Sequence, residues 1–276
     1  MVMSVNTNVG AQVALQNLNA TNAQLATTQN RINTGKSVAN AKDNGSIWAI
    51  AQGQRADIGA LNAVKQSLDR GVAAVDVALA AGETVSDLLL QMKEKALAAT
   101  DASLKTAARA ALNEDFKALR DQIASVTSNA DFNGINLLKT GATGFSALAN
   151  AQGTATLTVG AEVMALGSTT VTVATTQSID TLTKANASLA VVSASIDKVS
   201  GALARLGTKS KALTTHVTFV GKLSDALEAG VGNLVDADMA KESAKLQALQ
   251  TKQQLGVQAL SIANQTPQLV LSLFQG

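Results

Sequence analysis

Cysteine is absent from the 276 residues, which excludes disulfides, thiol nucleophiles and thiolate metal sites. Aromatic residues are nearly absent too, at 2% of a chain that is 46% hydrophobic. Ala, Leu and Val supply most of the apolar content, and such small side chains suit close helix packing better than a pocket walled by rings. One proline, Pro267, leaves long stretches free to be helical. Neither sign of charge dominates: 22 basic and 20 acidic residues leave a formal +2, too weak a field to expect nucleic-acid binding. No apolar run approaching the roughly 20 residues of a bilayer span is expected, so no membrane partner is. The opening stretch Met1 to Asn8 lacks the basic and apolar regions of a cleavable secretory signal. The expectation is a chain soluble on synthesis that leaves the cell, if it does, by a route needing no such signal.

What is present is periodic. Leu189, Val192, Ile196, Val199, Leu203, Leu206, Leu213, Val217, Val220, Leu227, Val231 and Leu234 alternate steps of three and four, with Ser210 and Ser224 at the missing positions. That is the seam of a coiled coil sustained over about six heptads. A second seam runs through Leu112, Phe116, Leu119, Ile123 and Val126. A third has Leu61, Leu68, Val75 and Leu89 at multiples of seven, with Val72 and Leu79 between. Three seams imply at least three bundled helices. Between about 140 and 180 the chain is rich in Thr, Gly and Ser. There Thr154–Val159 and Thr169–Val173 read as two short strands leaning on the helices. The fold class expected is mainly α: a long antiparallel helical bundle or coiled coil built by the N- and C-terminal regions, with a small β-hairpin in the middle.

The two ends carry the strongest functional signal. Residues 1–30 contain no charged side chain, and none follows Lys252. Both segments are rich in Gln, Asn, Thr, Ala and Leu, yet keep heptad spacing at Leu18, Leu25 and Ile32 and at Met239, Leu246 and Leu260. Surface helices normally carry many Lys and Glu. Uncharged amides suit a place enclosed by other protein, where an ion would be costly to desolvate and an amide can find a partner. The two ends are therefore expected to pack together in an assembled form. The seam residues assigned to polymerisation are Leu18, Leu25, Ile32, Leu246, Leu249 and Leu260. Those assigned to the bundle are Leu112, Phe116, Leu119, Ile123, Leu189, Ile196, Leu203, Leu213 and Val220.

No constellation for catalysis is present. His216 is the single histidine and has no identifiable nucleophile or acid beside it. Gly35-Lys36-Ser37 is like the end of a phosphate-binding loop, but Asn30 stands where its first glycine belongs and no strand precedes it. Asp236, Asp238 and Glu242 lack the further acidic ligand and the glycine of a calcium loop, and helix capping accounts for the two aspartates better. No enzyme activity, cofactor or metal is expected.

Several motifs, in order and at both ends, resemble bacterial flagellin. They are Val5-Asn6-Thr7-Asn8; Arg31-Ile32-Asn33-Thr34-Gly35 followed by Asn40-Ala41-Lys42-Asp43-Asn44; and Asp131-Phe132-Asn133-Gly134-Ile135-Asn136-Leu137-Leu138. Near the other end stand Asp236-Ala237-Asp238-Met239-Ala240-Lys241-Glu242 and Ala263-Asn264-Gln265-Thr266-Pro267-Gln268-Leu269-Val270-Leu271-Ser272-Leu273. Departures from that family occur at Ser37-Val38-Ala39, Trp48 and Asn233-Leu234-Val235. Gln91 and Lys95 also differ, within a stretch that an innate toll-like receptor binds in some flagellins.

The resemblance implies a subunit that polymerises into the helical flagellar filament for swimming, exported through a type III apparatus to the cell exterior. Its implied partners are copies of itself, the export apparatus, an export chaperone, the filament cap and hook-associated proteins. A terminal inner-tube domain would comprise 1–47 plus 234–276, and an outer-tube bundle 48–233, including the β element at about 140–180. Thr169, Thr170, Thr172 and Thr175 are candidate O-glycosylation sites. The alternatives are a hook–filament junction protein, which shares the terminal design, and a type III secreted helical effector acting on membranes, for which no lipid-partitioning amphipathic helix is evident.

Overall fold

The computed structural model of the chain describes the backbone of residues 7–273 and the side chains of residues 7–265. Val5 and Asn6, and the side chains of Thr266–Leu273, lie outside the described residues. Five helices dominate: α1 Val9–Thr34, α2 Gly45–Ala99, α3 Thr106–Asn129, α4 Leu182–Val235 and α5 Met239–Leu273. Strands β1 Phe145–Leu148 and β2 Thr156–Val159 form one antiparallel hairpin, with Phe145 opposite Val159 and Leu148 opposite Thr156. The mainly helical expectation with a small central hairpin matches this architecture.

Local chemistry sets the boundaries. Asn8 caps α1 by accepting the Ala11 amide at 3.0 Å, and Gly35 ends it in the left-handed region at φ 68°. The Asp43 carboxylate accepts the amides of Ala39 and Asn40, which turns the chain toward α2. Asn44 then caps α2 through the Ile47 amide at 3.2 Å. At the tight turn after α3, Asn133 and Gly134 both take positive φ, and Asp131 accepts the Gly134 amide at 2.8 Å.

The chain divides into two compact units: Met1–Ala56 with Ala226–Gly276, and Asp57–Asp225. The sequence expectation drew its boundaries at 47/48 and 233/234.

In the Asp57–Asp225 unit, α2 presents an unbroken stripe at alternating steps of three and four: Leu61, Val64, Leu68, Gly71, Val75, Ala78, Gly82, Val85, Leu89, Met92, Ala96 and Ala99 are all buried. Two glycines in that stripe admit neighbours closely. A Cβ at Gly71 would lie 2.9 Å from the Phe145 ring, and one at Gly82 would lie 2.7 Å from Leu203. The hairpin sits on α2 through Phe145, and the Leu148 amide donates to Ser67 Oγ at 3.2 Å. His216 closes the other side of the hairpin, its Nε2 lying 2.8 Å from the Ala149 carbonyl oxygen.

The seams of α3 and α4 bury Phe116, Ile123, Val192, Val199, Leu206, Leu213 and Val220 where the apolar pattern puts them, but in the layers between, a neighbouring residue takes the centre. On α3 the buried positions are Asn113, Phe116, Ile123 and Thr127, while Leu112 and Leu119 flank them half-buried. On α4 they are Ser188, Val192, Ser195, Val199, Ala202, Leu206, Leu213 and Val220, while Leu189, Ile196 and Leu203 flank. Polar residues can occupy these seams because they bond the segment that crosses them. Asn113 Oδ1 accepts the Ile179 amide at 2.8 Å, Ser188 Oγ donates to the Ser178 carbonyl at 3.1 Å, and Ser195 Oγ accepts the Thr172 amide at 3.0 Å.

Two further expectations are corrected. Thr169–Val173 is not a strand: its amides bond Ser168 and Ser195 rather than a ladder, and the partner of Thr156–Val159 is Phe145–Leu148. By length and composition α4 is apolar enough to cross a membrane, where no such run was expected. Its apolar side is used by the bundle, with Val192, Val199 and Leu206 almost fully buried.

Candidate assembly interface

The Met1–Ala56 and Ala226–Gly276 unit brings both ends of the chain together. α1 and α5 lie side by side and antiparallel: Asn8 Nδ2 donates to the Ala263 carbonyl at 2.7 Å, Gln253 Nε2 to Asn22 Oδ1 at 2.7 Å, and Arg31 Nη1 to Glu242 Oε1 at 3.1 Å. The inward row of α1 is Ala11, Ala14, Leu18, Thr21, Leu25, Thr28 and Ile32; that of α5 is Glu242, Leu246, Leu249, Gln253, Gly256, Leu260 and Ala263. Both rows keep the three–four spacing of a coiled coil. The two helices meet the rest of the unit through a backbone anchor. Ser37 and Val38 both donate to the Val235 carbonyl, at 2.7 and 3.2 Å, and the Ala237 amide donates to Gly35 at 2.9 Å.

The six residues assigned to polymerisation all lie on these inward rows. Leu18, Leu25, Ile32, Leu246 and Leu260 are half-buried, and Leu249 is 6% exposed. Their contacts are therefore made within one chain. The sequence reasoning did not single out the outer aliphatics: Val9, Val13 and Leu15 on α1, and Leu255 and Val257 on α5, are each about half or more exposed. The signal that would have found them is their position off the heptad rows in the charge-free stretches before Arg31 and after Lys252.

Polar satisfaction is incomplete here. Among the described residues, the buried side-chain atoms without a hydrogen-bond partner are Thr28 Oγ1, Arg31 Nε, Gln54 Oε1 and Glu242 Oε2, and all four belong to this unit. The Asp57–Asp225 unit has no such unpaired buried side-chain atom, and its charges are exposed or half-buried. There Lys95 is held above its ordinary value by a hydrogen bond to Asp115, Arg205 by Glu162, and Asp101 and Asp180 are held below theirs by Ser103 and Lys184. No cluster of three or more metal-binding side chains occurs among the described residues. Asp236 and Asp238 stand at the start of α5, where Asp238 accepts the Ala240 and Lys241 amides at 3.1 Å. Of the candidate glycosylation sites, Thr169 and Thr175 are exposed, Thr170 is buried, and the Thr172 hydroxyl lies 3.0 Å from Ser195 Oγ.

The chain matches known families over most of its length. Residues 5–143 match the bacterial flagellin N-terminal helical region, and residues 189–274 match the bacterial flagellin C-terminal helical region. It is 57% identical over 272 residues to flagellin FljM of Caulobacter vibrioides, covering 99% of this chain and 98% of that one. It is 39% identical over 287 residues to a flagellin of Brucella melitensis, covering 99% of each. The crystal structure of Bacillus cereus flagellin superposes with a TM-score of 0.50 at 19% identity, over 56% of this chain and 88% of that chain, a likeness of fold.

Proposed function

We propose, from the premise that this chain belongs to the bacterial flagellin family, that its α1–α5 hairpin is the element through which copies join into a filament. As a flagellin it is a structural protein and not an enzyme. It is exported, and it builds the extracellular filament that drives swimming; full-length likeness to flagellins disfavours the junction-protein alternative.

The observation that supports the hairpin's role is its outer surface. α1 has no charged residue before Arg31, and Val9 and Val13 on α1 and Leu255 on α5 stand exposed. Such a surface is poorly suited to water and well suited to enclosure by identical neighbours. Contacts between unlike patches that do not close into a ring generate a helical polymer. The seam residues Leu18, Leu25, Ile32, Leu246, Leu249 and Leu260 hold each hairpin together, and the outer aliphatics meet the next copy. The terminal unit forms the inner tube and the Asp57–Asp225 unit the outer one. The export apparatus, an export chaperone, the cap and hook-associated proteins complete the set of partners. Thr169 and Thr175 are the hydroxyls open to a glycan.

The deciding experiment places Val13→Lys together with Leu255→Lys in cells lacking their own flagellin. Exported but unpolymerised subunit in the medium, with no filament by negative-stain microscopy, is the expected result. Filaments of ordinary length would refute the hairpin's role.

A further inference from the structure

Both terminal helices have two apolar faces. On α1, Leu18 and Leu25 turn toward α5, while Val9 and Val13 are 63% and 51% exposed. On α5, Leu246 and Leu249 turn inward, while Leu255 is 60% exposed. Hydrophobic attraction is non-directional and scales with area, so it chooses weakly between two such faces. The backbone anchor does not choose either. It grips the chain at Gly35 and Ala237, next to the ends of both helices, and makes no contact with the side-chain faces along them.

Asn8 with Ala263 and Gln253 with Asn22 bond across the two helices as neutral groups, and one further layer is ionic. Arg31 is the single charged residue of α1, and Glu242 is the single acid of α5. They meet at 3.1 Å beside the inward row, with Glu242 buried and the Arg31 side chain 32% exposed. The remaining cations of α5, Lys241, Lys245 and Lys252, are exposed. The layer is not built for stability: there is one contact between the charges, and Arg31 Nε, Glu242 Oε2 and Thr28 Oγ1 are buried without partners. A part-buried pair of this kind adds little net stabilisation, yet separating it leaves the buried Glu242 without its cation. Turning α1 outward would leave Glu242 alone in the seam, and turning α5 would carry Glu242 away from its cation. Placing one ionic layer in a seam otherwise lined by apolar and neutral polar side chains is one way coiled coils specify an arrangement among near-equals.

We infer that the Arg31–Glu242 pair sets the rotational phase of the hairpin, turning the Leu18–Leu25 face of α1 inward on α5 and leaving Val9, Val13 and Leu255 for a neighbouring copy. This rests on the hairpin being the assembly element. Because the chain has no cysteine, introduced pairs report phase without background. Asn22→Cys with Gln253→Cys places thiols where two amides already touch, and reports the native phase. Ala23→Cys with Gln253→Cys reports α1 turned about its axis.

Disulfide yields are read on the full chain under polymerising conditions, in pelleted and soluble fractions together. In the otherwise native sequence the first pair should exceed the second by about tenfold or more, as expected when the alternative strands a charge. With Arg31→Leu and Glu242→Leu together, the two yields should come within about threefold, because the apolar faces alone discriminate weakly. With Arg31→Glu and Glu242→Arg together, the native preference should return. An unchanged ratio in the double leucine variant overturns the inference, as does loss of both cross-links, which would make the pair a folding requirement. A charge-swapped variant that behaves like the double leucine one overturns it too. A shifted ratio with undiminished filament growth leaves phase selection standing and removes the hairpin as the assembly element.

Discussion

Gly256 of α5 lies directly beneath Leu18 of α1, so close that a Cβ at Gly256 would fall 3.3 Å from Leu18 Cδ1. The glycine is there for the approach, since Gly in a helix interior costs about 1 kcal/mol relative to Ala. Gly256→Val should push the helices apart at this level, with an overpacking cost of about 1–3 kcal/mol. Adding Leu18→Ala should recover much of the loss by returning the volume. The measurement is filament length and critical concentration for polymerisation in both variants. A fully assembling Gly256→Val would show that the two helices do not close here in the filament.

Leu25 sits half-buried between Thr21 and Thr28 on the same row of α1. Leu25→Asp would place a carboxylate in a seam whose only cation, Arg31, already serves Glu242. An unpaired charge in such a position costs roughly 3–5 kcal/mol. Export of the variant should continue, with subunit recovered from the medium, while filament growth stops. Normal filaments from this variant would count against hairpin pairing as a requirement for growth.

Asn113 and Ile179 show what the pattern of apolar residues did and did not disclose. The helices, their antiparallel grouping and the pairing of the two ends were legible because Leu, Ile and Val recur at heptad spacing. Some layers of the α3 and α4 seams were not, because Asn113, Thr127, Ser188 and Ser195 occupy them, and polar residues carry no hydrophobic period. The hydrogen bonds of Asn113, Ser188 and Ser195 to a segment 10 to 66 residues away are facts that local pattern cannot contain. β1 was missed for a similar reason: Phe145 finds its place only because Gly71 leaves room on α2. Removing the Asn113 carbonyl oxygen leaves the buried Ile179 amide without an acceptor. Asn113→Ala should therefore destabilise the Asp57–Asp225 unit by about 1–3 kcal/mol. At roughly 2–4 °C per kcal/mol for a domain of this size, a drop of a few degrees in Tm is expected by circular dichroism. Asn113→Asp, which keeps an acceptor oxygen, should lose less at neutral pH; an equal loss would assign the effect to packing instead of the bond.

The ionic contacts of that unit predict a flat pH profile with losses at the extremes. Ser103 holds Asp101, and Lys184 holds Asp180, below the ordinary carboxylate value of 3.8. The folded chain thus favours their charged forms, so their contribution is complete above 3.8 and disappears as pH falls through the lower folded values. Asp115 holds Lys95 above its ordinary 10.5, so that contribution is complete below 10.5 and disappears as pH rises beyond it. All three groups face solvent, so each effect is small and screened by salt. Thermal unfolding followed by circular dichroism should give a nearly constant Tm from about pH 5 to pH 9 as far as these groups are concerned. Below pH 4 a decline should appear at low ionic strength. Asp180→Asn should lower the Tm slightly at pH 7 and make the acid decline shallower. An acid decline of identical slope in wild type and Asp180→Asn would show that the Asp180–Lys184 pair adds nothing to folding.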